Sequence, residues 1–158
     1  IVLARQRVEA AWVSFAVADL SRPEWRGAVD GTYEWLLAFA VLHHLPDAAL
    51  RLRIVAELRS ALSTGARAAV SVWDFTSSRR LRNRVVPWTE VGLTAADVEP
   101  GDTLLDWRHA GRALRYVHSF SAQELGDLAR TAGFAVAGEF RSDGEGGRLG
   151  LYQMWIAQ

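Results

Sequence analysis

The chain has 158 residues, 50% hydrophobic, 23% charged and 10% aromatic, and its 18 basic side chains balance 18 acidic ones. That fits one globular domain with a sizeable core, and it argues against disorder and against a polyelectrolyte for nucleic acid or membrane. Cysteine and lysine are both absent, which excludes disulfide frameworks, thiolate metal centres, thiol nucleophiles, P-loops, Schiff bases and Ser–Lys pairs.

In chain order, residues 1–9 read as the tail of a helix, with Leu3, Ala4 and Val8 apolar and Arg5, Arg7 and Glu9 charged. The first residue is Ile1, and the expectation is an N-terminally truncated chain. No stretch reaches the ~18–20 apolar residues of a membrane span, and no basic region precedes the first apolar segment. The expectation is a cytoplasmic protein with no membrane partner. Residues 12–18 form an apolar, β-branched and aromatic run that reads as a buried strand ending at Asp19. Residues 33–39 form a second such run. Asp47 opens a helix in which Leu50, Ile54, Leu58, Ala61 and Leu62 share one face, while Arg51, Arg53, Glu57 and Arg59 fall elsewhere. Pro46 and Gly65 are its start and stop signals. Residues 66–75 read as a third strand. Strand, helix, strand predicts a parallel pair with a right-handed crossover.

The middle is less regular. Residues 79–86 can be helical until Pro87, and residues 93–106 are loop-like with a turn at Pro100-Gly101-Asp102. Residues 113–120 alternate as a strand. Residues 121–131 are a helix, with Ser121 as N-cap, Glu124 completing a capping box, and Leu125, Leu128 and Ala129 on its apolar face. Two more strands, 134–140 and 149–156, are joined by a short loop that favours an antiparallel hairpin. The predicted fold is α/β: a single domain over 1–158 with a mostly parallel sheet and an antiparallel strand at its C-terminal end.

In open α/β sheets ligands bind beyond the carboxyl ends of the strands. Asp19, residues 38–44 and residues 73–75 stand at three such ends. The run Leu37-Ala38-Phe39-Ala40-Val41-Leu42-His43-His44-Leu45-Pro46, then Leu62-Ser63-Thr64-Gly65-Ala66 and Val70-Ser71-Val72-Trp73, resembles the middle of a class I S-adenosylmethionine-dependent methyltransferase. Such families often carry a "vLHHl" segment after the fourth strand and an "LkPGG" turn before the fifth. Ala18-Asp19-Leu20 matches their acidic turn after the third strand. The tail is similar to the tRNA wobble-uridine carboxymethyl methyltransferases, through Gly111-Arg112-Ala113-Leu114-Arg115-Tyr116-Val117-His118-Ser119-Phe120 and Arg141-Ser142-Asp143-Gly144. The resemblance covers residues 12–156. It implies a Rossmann-like sheet and S-adenosyl-L-methionine as cofactor of the intact protein. The family's first strand and glycine-rich turn have no counterpart here, and Thr64 and Ala66 stand where the turn usually has Pro and Gly.

The same resemblance assigns roles. Asp19 and the Leu20 N–H would receive the adenine, and Ala38, Phe39 and Val41 would pass beside the methionine portion. Arg115, Tyr116, His118 and Asp143 would form the catalytic, substrate-facing set. On a strand Arg115 shares one face with Val117, while Tyr116 and His118 stand together on the other, above a pocket. Arg115 can hold a substrate carboxylate in a two-point grip. Set beside these roles are plain structural ones: a solvated Asp19 turn, a buried strand exit, a polar edge strand, and a hairpin turn at 143–147. His43 and His44 point to opposite sides of an extended segment, so no metal site is expected. Arg79, Arg80, Arg82 and Arg84 form the densest basic run, which Arg108 and Arg112 join if the insert folds back. Such a cluster can serve RNA phosphates, or be a solvated helix face. The expected activity is methyl transfer to a carboxylate on a modified tRNA wobble uridine, with tRNA and a small activator protein as partners. The alternatives are a small-molecule methyltransferase, and a truncated, non-catalytic module that acts through protein contacts or self-associates through exposed strand edges.

Overall fold

The computed structural model describes residues 2–8, 10–29, 31–108 and 111–158, with the backbone alone at 112 and 145. Ile1, Glu9 and the side chains of Arg112 and Glu145 therefore lie outside the described residues. The regular elements are α1 (Val2–Arg7), β1 (Tyr33–Phe39), α2 (Ala48–Ser60), β2 (Leu62–Trp73), α3 (Arg79–Arg82), β3 (Val85–Val86), β4 (Asp102–Arg108), β5 (Arg112–His118), α4 (Ala122–Thr131), β6 (Phe134–Ser142) and β7 (Gly150–Ala157).

Four strands form the main sheet in the order β1, β2, β7, β6. β1 pairs parallel to β2, and the link between them is α2, as the strand–helix–strand pattern requires. β7 enters between β2 and β6 and pairs antiparallel to both. Strands β1, β2 and β6 therefore run the same way. Counted by neighbours, however, only one of the three pairings is parallel, which corrects the expected excess of parallel pairing. The cause is the return of the last hairpin into the sheet rather than onto its edge.

Strand alternation puts Ala68, Val70 and Val72 of β2 and Leu151, Trp155 and Ala157 of β7 on one face, where all are buried. Ile54 and Val55 of α2 and Leu125 and Ala129 of α4 close over them in one cluster. Each fully buried side chain of Leu or Ile size contributes roughly 1.5–3 kcal/mol. Asp47 caps α2 by accepting hydrogen bonds from the N–H groups of Ala49 (2.6 Å) and Leu50 (3.4 Å). The opposite face of β1 is bare: Tyr33, Trp35, Leu37 and Phe39 are all exposed, Leu37 by 65%.

Residues 12–18 are not a strand. The segment is irregular, with Trp12 88% and Val17 79% exposed. An extended segment becomes a strand only when neighbouring backbone satisfies its N–H and C=O groups, and no described strand pairs with this one. The chain beyond it follows α2 instead. Arg53 donates to the carbonyls of Leu20 (3.2 Å) and Ser21 (2.8 Å), and the Trp25 indole N–H donates to Glu57.

The segment between β2 and α4 folds back as an antiparallel sheet, β3, β4, β5. This corrects two expectations. The helix at 79–86 stops at Arg82, and residues 102–108 are strand rather than loop. Gly101, at φ 95, makes the turn into β4. Leu104 and Leu105 are both buried, so β4 lacks the alternation that marks a half-exposed strand. Phe75, Leu81, Leu105 and Val117 form a small second core here. Among the described residues no helix is long and apolar enough to cross a membrane.

Candidate functional site

The carboxyl ends of β1 and β2 meet beneath the three-stranded insert. β1 stops at Ala40, whose φ of 55 is left-handed and costs about 1–2 kcal/mol for a residue with a Cβ. The kink is held from β2: the Ala40 N–H donates to the Ser71 carbonyl (3.0 Å) and to its Oγ (3.1 Å). A single 3-10 turn follows and carries His43 and His44.

His43 is fully buried and stacks on Trp73, with ring centroids 5.0 Å apart. Its Nδ1 accepts the Trp73 N–H at 3.2 Å, which puts the ring proton on Nε2. That Nε2 has no hydrogen-bond partner among the described residues. Burial, and then the charges of His44 and Arg115, push the His43 pKa down to about 3. His44 faces the Tyr116 carbonyl through Nδ1 at 3.1 Å, and burial pushes its pKa down as well. Both imidazoles are neutral near pH 7.

The insert supplies the opposite wall. Arg115 lies over the Trp107 ring, 3.7 Å from its centroid, and 5.7 Å from that of Trp73. Trp73 and Trp107 are stacked at 6.0 Å. His44, Trp107, Ala113, Leu114, Arg115 and Tyr116 line a cavity of about 450 Å³. The Arg115 guanidinium thus stands on an aromatic platform at the rim of a cavity beside the strand ends, placed to hold an anion.

Tyr116 and His118 do share the other face of β5, but both turn to Asp102. The Tyr116 hydroxyl donates to Asp102 Oδ1 at 2.6 Å, and His118 Nδ1 lies 2.7 Å from the same oxygen. His118 Nε2 lies 2.7 Å from Glu124, so Glu124 spends its carboxylate here rather than on a capping box. Ser121 still caps α4, accepting the Glu124 N–H at 3.0 Å. His118 is 1% exposed, with both ring nitrogens facing carboxylates, where the expectation placed it above a pocket. Arg51, off the apolar face read for α2, is nevertheless buried: it reaches Glu99 at 2.5 Å and Tyr116 at 3.4 Å. Burial pushes Asp102 up, but hydrogen bonds from Tyr116, His118 and the Glu99 N–H outweigh it and hold the carboxyl below its usual range. Burial and Asp102 push the Tyr116 hydroxyl up, so it stays a donor. Glu99, Asp102 and His118 have ligand atoms within 4.8 Å of one another, a spacing that could hold a cation. All three are already committed to this network, beside the cationic Arg51.

Asp143 sits at φ 67 in the hairpin between β6 and β7 and accepts a hydrogen bond from Tyr152, whose hydroxyl is pushed up by it. Tyr152 meets Phe39 edge-on at 5.9 Å, so Asp143 is at the Phe39 end of the sheet. Phe39 is 48% exposed and Val41 half-buried. Ala38 faces the helix-covered core. Asp19 is exposed on a turn, its carboxylate taken by the Ser21 N–H (2.9 Å) and hydroxyl (2.7 Å), which lower its pKa. Leu20 packs on the core beside α2. The structure therefore brings together Arg115, the two histidines and Trp73, with Phe39 and Asp143 at the same end of the sheet. Asp19 lies on an exposed turn, Leu20 and Ala38 pack on the helix-covered core, and His118 is buried against Asp102. Sequence reasoning passed over Trp107, Asp102 and Arg51; the one available signal was Trp107 lying close in sequence to the alternating 113–120 run.

No family model matches the chain. A curated protein of Encephalitozoon cuniculi, described as a candidate methyltransferase, is 29% identical over 109 residues, covering 68% of this chain and 47% of that protein. Among solved structures, an S-adenosylmethionine-dependent methyltransferase of Methanosarcina mazei superposes with a TM-score of 0.66 at 21% identity, covering 90% of this chain and 66% of that one. A candidate methyltransferase of Listeria monocytogenes gives 0.67 at 12% identity, covering 98% and 74%. The chain has the class I S-adenosylmethionine-dependent methyltransferase fold. A third neighbour with this fold, the 1,6-didemethyltoxoflavin-N1-methyltransferase of Burkholderia thailandensis, was solved with bound S-adenosylhomocysteine; it gives 0.61 at 18% identity, covering 99% and 56%. The methyltransferase-fold chain described here spans about half the length of its curated relative.

Proposed function

We propose that the protein containing this chain transfers a methyl group from S-adenosylmethionine to a carboxylate, and that the carboxylate belongs to a modified wobble uridine of tRNA. The observation that carries the reading is Arg115, seated on Trp107 at the rim of the cavity that His44 and Tyr116 also line. The methyltransferase fold supports the choice of donor. Phe39 and Val41 at the β1 exit fit one flank of such a donor. The edge of β1, which pairs with no described strand, would border the other flank.

When bound, S-adenosylmethionine supplies an electrophilic sulfonium methyl group. The residues of this chain position the acceptor. Arg115 pairs with the carboxylate in a two-point grip, and Trp107 and Trp73 keep the guanidinium from turning away. The carboxylate attacks with its own lone pair while the S–C bond electrons remain on sulfur. No proton moves, so neutral His43 and His44 suffice, and alignment and desolvation do the remaining work.

The test uses tRNA whose uridine esters have first been opened by mild alkali, with tritiated methyl donor. The expected result is label that mild alkali releases again as methanol. Alkali-stable label would replace the carboxylate by a ring or ribose atom, and donor binding without labelling would remove tRNA as acceptor. Arg115→Ala should depress transfer at least tenfold while donor affinity changes far less. Equal losses would take Arg115 out of the substrate role.

A second reading rests on β1. Trp35 and Leu37 are 53% and 65% exposed on an edge strand, a template for pairing with another chain. On this reading the chain is a non-catalytic module that binds a second copy or a small activator protein. Leu37→Lys should then shift the sedimentation of the chain toward monomer, and an unchanged distribution would remove self-association from this reading.

A further inference from the structure

Arg79, Arg80 and Arg82 are exposed on α3, while Arg84, beyond it, is half-buried. α3 is one turn long, and the chain then bends into β3. Arg80, Asn83, Arg84, Val86, Asp106 and Arg108 surround a cavity of about 540 Å³. Arg108 comes from the end of β4, so the insert has folded back and brought distant guanidiniums to one place. Three guanidiniums face one carboxylate. Asp106 is engaged at 2.8 Å by Arg108 Nε. Arg80 and Arg84, in contrast, make no hydrogen bond or ion pair through their side chains to any described residue. Arg84 is nevertheless anchored. Its carbonyl accepts the Asp106 N–H at 2.7 Å, and its guanidinium lies 5.8 Å from the centroid of Trp107.

Trp107 makes this cavity more than a charged patch. The same indole carries Arg115, 3.7 Å from its centroid, and lines the cavity beside His44. Arg84, Trp107, Arg115 and Trp73 thus run as a ladder from the arginine-lined cavity to the strand ends. A ligand lying along it would place an anionic, many-oxygened group among Arg80, Arg84 and Arg108, and a planar group against Trp107. Unpartnered guanidinium forks around a net positive cavity suit phosphate better than a single carboxylate.

We propose that the cavity formed by Arg80, Arg84 and Arg108 binds a phosphate group of the methyl acceptor, one Trp107 ring away from the carboxylate held by Arg115. The inference rests on the acceptor site proposed above, but its test does not use methyl transfer. Binding of a fluorescent anticodon stem-loop RNA to the full chain is measured by anisotropy across a salt series, without methyl donor. Each lost phosphate contact should flatten the slope of log affinity against log salt by about 0.7–0.9. Arg80→Ala combined with Arg84→Ala should therefore weaken binding about tenfold or more and flatten the slope by about 1.5. Arg22→Ala, which removes a charge from the remote turn beside α2, should do neither. Equal weakening by the double variant and by Arg22→Ala, or an unchanged slope in the double variant, overturns the site. Adenosine monophosphate tests the other source of the same chemistry. If it displaces the RNA at equal phosphate concentration, and does so only when Arg80 and Arg84 are present, the site takes a small phosphomonoester. Displacement independent of both arginines overturns it. Retained RNA binding without methyl transfer would defeat the functional reading and leave the site standing.

Discussion

His43 is a neutral imidazole locked into the strand ends, and that makes the fold sensitive to acid. Its folded pKa is pushed down to about 3 by burial, then by His44 and Arg115. The unfolded ring takes up a proton near pH 6.5, whereas the folded ring does not until about pH 3. Between these values the unfolded state binds more protons, so stability is full above pH 6.5 and falls as pH drops. One such group gives a slope of ~1.4 kcal/mol per pH unit, and His44, also pushed down, acts in the same direction. Urea melts at pH 7 and pH 4.5 should show this loss, and His43→Phe should reduce the slope by about one proton. An unchanged slope would mean that His43 titrates freely. Asp102 acts lower on the scale: its depressed pKa contributes stability that is present above about pH 4 and is lost below it. Asp102→Ala leaves Tyr116, His118 and the Glu99 N–H without their acceptor, and should cost about 2–4 kcal/mol by urea melt at pH 7.

At the scale of elements, α2 shows what local chemistry decides. Asp47 caps the helix and also sits at φ 73, where a side chain is strained. Asp47→Ala loses the cap and keeps the strain, so it should cost about 1–2 kcal/mol. Asp47→Gly loses the cap but relieves the strain and should cost a few tenths. A reversed order in thermal melts would mean that the backbone at Asp47 carries no such strain. The helix was legible because Pro46, Asp47 and the Leu50, Ile54, Leu58 spacing agree. β1, β6 and β7 were legible for the same reason, apolar runs bounded by turn residues, whereas β2, expected over 66–75, already begins at Leu62 and contains Gly65, which was expected to stop the helix. The elements that escaped did so because their environment is not local. Residues 12–18 have the composition of a core strand but pair with no described strand. β4 hides its pattern because Leu104 and Leu105 are both buried. Helix periodicity set Arg51 off the apolar face and could not reveal that Glu99, from the distant insert, comes to meet it. Of the candidate site, Arg115 and its orientation opposite Tyr116 were legible from strand alternation. Its aromatic platform was not, since Trp73 and Trp107 meet only when the insert folds back.

At the scale of the whole molecule, the apolar core is divided. One cluster lies between the main sheet and the helices α2 and α4; the other lies within the insert around Leu105 and Val117. Besides the Trp73–Trp107 stack, what joins them is polar: Arg51 with Glu99, the Ala48 N–H with Glu99, His44 with the Tyr116 carbonyl, and His118 with Glu124. Such a seam opens at a lower free energy than the sheet it rests on, because little apolar surface has to be exposed. The candidate cavity is in that seam, so opening it would admit a large acceptor. Glu99→Ala should therefore act on the seam first. It leaves Arg51 buried without its carboxylate, at a cost of about 3 kcal/mol. In hydrogen exchange followed by mass spectrometry, residues 102–118 should lose protection in this variant while residues 66–72 of β2 keep theirs. Equal loss in both segments would mean that insert and sheet open as one unit, and the cavity would then have to admit its ligand without the seam parting.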